Sequence, residues 1–433
     1  MLTLMTLSLV AAPQTVVSVQ QAPTAAAWQV AQPVPLFSES AAPSLPFDPT
    51  LFGRGVASAD LDRDGSPDFV ISTSSGAVLY MNRGPAGLVD ETVMRLPAGL
   101  QGSDGPVVGD VDGDGWADLL LLADSSPGVD VVLFSNGFGG FLPPIPLPMA
   151  SAVTSDAELV DIDLDGDLDL VRAIGSSGHA NTSGKDTLLL NDGLGGFTPL
   201  LSFESAAWNS SLIPSTGVTS FDANRDGVLD LFFTRADSGS ATGSPGARNL
   251  LLLGRGAGQY IDASVGLPSF EDNSYDAVPL DLDGDGDLDL VVANSLLGLG
   301  GASSGDVLVN QGGLQGGRAG AFQDRFDSIE ETPTIAEAIR LGPLCADVDG
   351  DGRKDVLFRV HDLPPGGEQP LFLGRGLDFE RATPFGAGSF IAAGGAFADI
   401  DGDGDPDLLL TSAGSAAGGS QLGHARLFLN VSP

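Results

Sequence analysis

Residues Asp60-Leu61-Asp62-Arg63-Asp64-Gly65-Ser66-Pro67-Asp68 read Asp-x-Asp-x-Asp-Gly-x-x-Asp, and the pattern begins again at Asp110, Asp161, Asp222, Asp281, Asp347 and Asp399. One position departs from it: Asn224 stands where the fourth copy would carry its second Asp. Copies spaced by 50 to 66 residues make this a repeat architecture, in which one unit cannot bury its own apolar face. That overrides the two or three ordinary domains which 433 residues would otherwise suggest.

The residues between the motifs keep one rhythm. A short apolar run precedes each loop, as in Gly55-Val56-Ala57-Ser58-Ala59 and Gly394-Gly395-Ala396-Phe397-Ala398. The last Asp opens a β-branched and Leu-rich run, as in Asp68-Phe69-Val70-Ile71 and Asp289-Leu290-Val291-Val292. After a Gly/Ser-rich turn a third run ends near Asn or Gly, as in Val78-Leu79-Tyr80-Met81-Asn82 and Leu427-Phe428-Leu429-Asn430. A fourth, more polar run follows, such as Leu88-Val89-Asp90-Glu91-Thr92. Short runs separated by turn residues are strands, and no segment carries a long helical stripe. Four strands in each of seven units predict an all-β fold, a seven-bladed β-propeller of four-stranded antiparallel blades. The last unit lacks a strand, because only Val431, Ser432 and Pro433 follow Asn430. The N-terminal run Pro35-Leu36-Phe37-Ser38-Glu39-Ser40, followed by Leu45-Pro46, is expected to close that blade. Residues 33–433 are thus assigned to the propeller and 1–32 to a leader and linker.

The formal net charge is -38, from 57 acidic and 19 basic residues, yet 42% of the chain is hydrophobic. A disordered acidic chain would be poor in apolar residues. Without a basic stripe to release counterions, nucleic acid is excluded as a partner, and anionic lipid is disfavoured likewise. Cations are favoured. Cys345 is the only cysteine, so no intrachain disulfide forms, and after Leu344 it reads as a small core residue. Met1 to Ala12 resembles the apolar part of a secretory signal, although no Lys or Arg precedes Arg54. Export is the expectation, because calcium loops suit a millimolar-calcium exterior. No apolar stretch reaches the ~20 residues of a membrane span.

Calcium takes six to eight oxygens at about 2.3–2.6 Å. Side chains at loop positions 1, 3, 5 and 9 and the carbonyl at 7 can supply them, since alternate residues turn toward one centre. The first copy offers Asp60, Asp62, Asp64 and Asp68 with the Ser66 carbonyl; the second Asp110, Asp112, Asp114 and Asp118 with Trp116. The third offers Asp161, Asp163, Asp165 and Asp169 with Asp167; the fourth Asp222, Asn224, Asp226 and Asp230 with Val228. The fifth offers Asp281, Asp283, Asp285 and Asp289 with Asp287; the sixth Asp347, Asp349, Asp351 and Asp355 with Arg353. The seventh offers Asp399, Asp401, Asp403 and Asp407 with Asp405, so up to seven structural calcium ions are expected. Gly65 permits the sharp reversal. Without metal, each carboxylate pair at ~4–5 Å costs roughly 1 kcal/mol even at water-like dielectric. Chelation should therefore loosen the loops, and the Asn224 loop should be among the weaker sites. An EF-hand would need Glu at position 12, where Ile71, Leu121 and Val292 stand.

These units resemble FG-GAP/VCBS repeats, as in the integrin α-subunit propeller and many secreted bacterial proteins, over about residues 33–433. The resemblance implies calcium binding by the loop residues just named. It also implies a metal loop joining the first two strands of each blade, opposite the face often used for ligands. The Phe-Gly and Gly-Ala-Pro signatures of the integrin version are mostly absent, apart from Phe52-Gly53, so an integrin-type partner is not implied.

The opposite face is expected to carry the extended segments Gly175 to Lys185, Asp237 to Arg248, Asn294 to Asp306 and Thr411 to His424. Trp208, Phe270 and Tyr275 lie on blade connections beside polar residues, a setting that suits either a sugar face or a blade junction. The histidines His179, His361 and His424 form no triad or zinc motif, and His361-Asp362 is the one acid/base candidate. The expected function is a secreted, monomeric, non-catalytic propeller that binds a protein or glycan. The alternatives are a lectin with inter-blade sugar pockets and a calcium-dependent carbohydrate-active enzyme such as a polysaccharide lyase.

Overall fold

The computed structural model describes residues 36–39, 53–123, 128–149, 153–175, 184–204, 206, 209, 213–236, 247–268, 273–295, 305–325, 340–360, 369–382, 385, 392–411 and 425–431, all within the unit Val34–Pro433. Among them the strands pair antiparallel into seven four-stranded sheets, the blades of a β-propeller. The first strands are Gly53–Ala59, Ser103–Gly109, Thr154–Val160, Ser215–Phe221, Asn273–Leu280, Arg340–Ala346 and Gly394–Ala398. Each lies beside the first strands of its two neighbouring blades, and Gly394–Ala398 meets Gly53–Ala59, so the ring closes. Every second strand begins at the ninth residue of the motif, for example Asp68–Thr73, Asp118–Ala123 and Asp169–Ile174. The acidic motif is therefore the connection between first and second strands in all seven blades.

The apolar runs are continuous because these strands are buried on both faces. Successive side chains point to opposite sides of a blade and so enter different seams. In blade 2, Leu119 and Leu121 pack with Val70, Leu79 and Met81 of blade 1. Leu120 and Leu122 pack instead with Leu170 and Leu189 of blade 3. Seven such apolar layers, one per seam, take the place of a central core among the described residues. Among the described residues helix is confined to single turns at Thr92–Arg95 and Leu201–Glu204 and to short 3-10 turns.

The last blade is completed from the other end of the chain. Phe37–Glu39 pairs antiparallel with Ala425–Asn430, in the register Phe37↔Asn430, Ser38↔Leu429 and Glu39↔Phe428. Val431 N–H donates to the Leu36 carbonyl at 2.9 Å. Phe37 is 3% exposed and stacks on Phe385 and Phe397, with centroids 5.9 and 6.4 Å away. The continuation at Leu45-Pro46 lies outside the described residues. Phe37→Ala is expected to cost about 3 kcal/mol, and deletion of residues 33–46 is expected to cost more. Denaturant unfolding checks both, and midpoints equal to wild type for both variants would contradict closure by this strand.

Candidate metal centres

The seven loops share one backbone path. The glycine at position 6 has a left-handed φ throughout, with +91° at Gly65 and +101° at Gly166. Position 4 is also left-handed in every copy. Gly113, Gly284, Gly350 and Gly402 meet that demand without strain, whereas Arg63, Leu164 and Arg225 hold φ of 58°, 65° and 61°. Two left-handed residues, one apart, wind the chain so that its amides face inward.

Those amides hold the carboxylates. In the first loop Asp60 Oδ2 accepts the N–H of Gly65 at 2.9 Å, and Asp64 Oδ1 accepts that of Ser66 at 2.9 Å. The equivalent bonds recur in the other six copies, at 2.8–3.1 Å for position 1 and 2.8–3.2 Å for position 5. An aspartate that accepts a nearby backbone N–H is oriented before any ligand arrives.

The position-9 aspartate does more. Asp68 Oδ2 accepts the N–H of Leu61, and its Oδ1 accepts that of Asn82 at the end of the third strand, at 2.9 and 2.8 Å. Asp118, Asp169, Asp230, Asp289, Asp355 and Asp407 make the same pair of bonds. All seven are 0–1% exposed. Burial pushes the carboxyls of Asp68, Asp118, Asp169, Asp230, Asp289 and Asp355 up to about 6, and that of Asp407 upward, against the opposing pull of the two backbone N–H groups.

The donor set fits a hard divalent cation. One oxygen from each of Asp60, Asp62 and Asp68 lies within 4.8 Å of the other two, as do those of Asp110, Asp112 and Asp118 and of Asp161, Asp163 and Asp169. In the fifth and sixth loops the groups are Asp281, Asp283 and Asp285, and Asp347, Asp349 and Asp351. A span of about 4.8 Å is twice a calcium–oxygen bond. Buried oxygens of Asp62 (Oδ1), Asp163 (Oδ1), Asp167 (Oδ1), Asp287 (both) and Asp347 (Oδ1) accept no hydrogen bond among the described residues. Burying such acceptors is costly unless a cation meets them. Asp287 sits at position 7, where a carbonyl was expected to act; burial and its aspartate neighbours push its carboxyl up to about 7. Trp116, the other conspicuous position-7 residue, lies under the Arg63 guanidinium, 4.2 Å from the ring centre, and so packs across the seam between blades 1 and 2.

Several residues in and around the site carry no motif. Arg83 and Arg375 reach back from the outer hairpins to the loops of their own blades, 2.7 Å from Asp62 and 3.0 Å from Asp349. On the innermost strands, register irregularities directly precede Asp156 and Asp276. There Asp156 accepts Val218 N–H at 2.9 Å, Glu158 accepts Ser220 Oγ at 2.9 Å, and Asp276 meets Arg359 at 3.4 Å. Burial is the main cause that pushes Asp156 up to about 8, Glu158 up to about 7 and Asp276 up to about 6; the Asp276 charge adds to the first two and Arg359 opposes the last. Tyr275 lies within the innermost strand Asn273–Leu280 and not on a blade connection as its polar neighbours suggest, whereas Trp208, Phe270, His179, His361 and His424 lie outside the described residues.

Three segments, residues 60–121, 110–172 and 347–410, match the model of an FG-GAP-like repeat. None of the curated proteins matches the chain. Among solved structures, BBS1N in complex with ARL6DN is similar in lead-soaked and mercury-soaked crystals, at 11% and 12% identity and a TM-score of 0.51 in each. Those matches cover 92% and 91% of this chain and 98% and 97% of that one. An Agrocybe aegerita lectin, described for specific recognition of non-reducing terminal N-acetylglucosamine, is 18% identical over 78% of this chain and 80% of its own, with a TM-score of 0.48. At these identities the likeness concerns the fold alone.

The loop geometry has two measurable consequences. At Gly166 no atom lies within 4 Å of an added Cβ, so Gly166→Ala isolates the backbone cost. The variant should lose about 1–2 kcal/mol in an unfolding titration, and equal stability would contradict the left-handed requirement. The raised carboxyls stand above their unfolded values near 3.8 and 4.5. Between about pH 4 and 8 the unfolded chain has released protons that the folded chain still holds, so stability from these groups is lost as pH rises. In chelator the melting temperature should fall from about pH 5 to about pH 8; a rise over that range would contradict these shifts.

Proposed function

From a seven-bladed β-propeller that carries FG-GAP-like repeats, we propose a secreted, calcium-stabilised recognition module that binds a protein or glycan and performs no catalysis. The observation that carries the calcium reading is the set of buried carboxylate oxygens, at Asp62, Asp163, Asp167, Asp287 and Asp347, that have no donor among the described residues, in loops whose position-1 and position-5 carboxylates are held by the loop's own amides. The aspartates at positions 1, 3 and 9 of loops 1 to 3, and at positions 1, 3 and 5 of loops 5 and 6, are the residues that would hold the ion. Bound calcium supplies positive charge and a multidentate cross-link between strand ends, the part that disulfides play in other secreted proteins.

A group repeated in every blade is suited to building the ring rather than to choosing one partner. Recognition is therefore assigned to the unrepeated blade connections on the face opposite the acidic loops. BBS1N, a propeller of the same fold, was crystallised with the partner ARL6DN, which supports the use of such a scaffold for protein binding. The acidic surface, with 57 acidic against 19 basic residues, favours a partner that is not polyanionic.

Metal analysis of purified protein should find several calcium ions per chain, and chelator should lower the melting temperature. A metal-free protein of undiminished stability would contradict the calcium reading. A glycan array separates a sugar ligand from a protein ligand. On a broad polysaccharide panel no turnover is expected; turnover that is lost in His361→Ala would overturn the non-catalytic assignment.

A further inference from the structure

We propose that the first and sixth loops carry their own cation, an arginine from the outer hairpin of the same blade. In consequence these two sites bind calcium more weakly than loops 2, 3, 5 and 7 and keep their shape without it. The inference rests on the calcium reading above and deepens it.

The residue that donates its N–H to the position-9 aspartate marks one equivalent point in every blade: Asn82, Ser135, Asn191, Gly254, Asn310, Gly374 and Asn430. The residue after it is Arg83, Asn136, Asp192, Arg255, Gln311, Arg375 and Val431 in turn. A side chain at that point can face the acidic loop of its own blade. Arg83 Nη1 lies 2.7 Å from Asp62 Oδ2 and 3.7 Å from Asp64 Oδ2. Arg375 Nη2 lies 3.0 Å from Asp349 Oδ2, and its Nη1 2.7 Å from Asp351 Oδ2. Both arginines engage positions 3 and 5 of the motif. Both are also held from the outside by a glutamate: Arg83 at 2.8 Å by Glu91, and Arg375 at 3.3 Å by Glu380. The two blades have outer turns of different length, so the same arrangement is reached by different backbones. A second guanidinium reinforces each, Arg95 at 3.4 Å from Asp62 and Arg353 on Asp351.

Blade 4 shows what the arrangement requires. Arg255 occupies the same point, but its loop has Asn224 at position 3, and neither its fourth strand, Tyr260–Asp262, nor the residue after it, Ala263 where blade 1 has Glu91, supplies a glutamate. Among the described residues Arg255 makes no ion pair with that loop. In blade 5 the position-3 aspartate has a neutral donor instead, Gln315 Nε2 at 2.5 Å from Asp283 Oδ2.

A guanidinium and a calcium ion compete for the same carboxylate charge. The arginine removes the repulsion that strains an empty loop, and it places a positive charge beside the point where a divalent ion must sit. At about 4–5 Å and water-like dielectric that charge lowers calcium affinity roughly ten- to thirtyfold. Binding is weakened rather than abolished, since Asp62 Oδ1 and Asp347 Oδ1 remain without donors.

The test is to equilibrate crystals of the full chain at graded calcium concentrations and read occupancy loop by loop. Loops 2, 3, 5 and 7 should fill first, and loops 1 and 6 at roughly tenfold higher calcium. In R83Q loop 1 should fill together with the early group, in R375Q loop 6 should do so, and R255Q should change nothing. Early filling of loops 1 and 6 in the wild type would overturn the proposal, as would a filling order unaltered in folded R83Q and R375Q. Where a variant does not fold, the wild-type order decides. Calcium in no loop at any concentration would overturn the calcium reading itself, a different result from calcium bound in the wrong order.

Discussion

The interaction on which the ring depends is the forked hydrogen bond of the position-9 aspartate. One carboxylate takes an N–H from the start of the metal loop and another from the end of the third strand, while its own backbone opens the second strand. Three chain segments are thereby fixed at one point in each blade. A carboxylate suits the place because it offers two acceptor oxygens and no donor. Asparagine would present an N–H₂ group to one of the two amides. The charge is costly at 0–1% exposure, and the raised carboxyl of Asp68, at about 6, expresses that cost. A cation in the adjoining loop would relieve it, and metal binding would then be tied to strand geometry.

The same point also joins blades. Asn82, Asn191, Asn310 and Asn430 send their side-chain N–H₂ groups to the carbonyls of Ile400, Val111, Ala223 and Val348, at 2.8–2.9 Å. Each acceptor is position 2 of the preceding blade's loop. Blades 2, 4 and 6 have Ser135, Gly254 and Gly374 there and make no such bridge among the described residues; the Ser135 hydroxyl instead accepts the N–H of Gly137. Alternation around an odd ring must fail once, and it fails at the closure. Blade 7 is bridged on both sides, to blade 6 through Asn430 and to blade 1 through Asn82. That blade is also the one completed by the N-terminal strand, so the weakest point of an open ring receives the most ties.

Much of this was legible in the sequence. The motif period counts the blades, the unbroken apolar runs mark strands buried on two faces, and the missing fourth run after Asn430 points to Phe37–Glu39. The loop aspartates stand together because their spacing brings them together. Other features leave no such mark. Arg63, Leu164 and Arg225 give no sign that position 4 is left-handed, since glycine there in the other copies reads as ordinary loop composition. Arg83 and Arg375 come from turns of unequal length, so their common place emerges only when blades are aligned on the position-9 bond. Asp156 and Glu158 lie on one innermost strand and Asp276 on another, about 120 residues further along the chain, and no local pattern shows that they converge.

On the reading proposed above, the acidic loops are scaffold, kept in shape by a cation and by their own amides. Backbone hydrogen exchange, compared between calcium-saturated and chelated protein, tests it most directly. Exchange should quicken on chelation at the amides of positions 4 to 7 in the loops outside blades 1 and 6, while the amides bonded to the position-9 aspartates lose protection only as whole blades open. Equal protection of those loops with and without calcium would contradict the account.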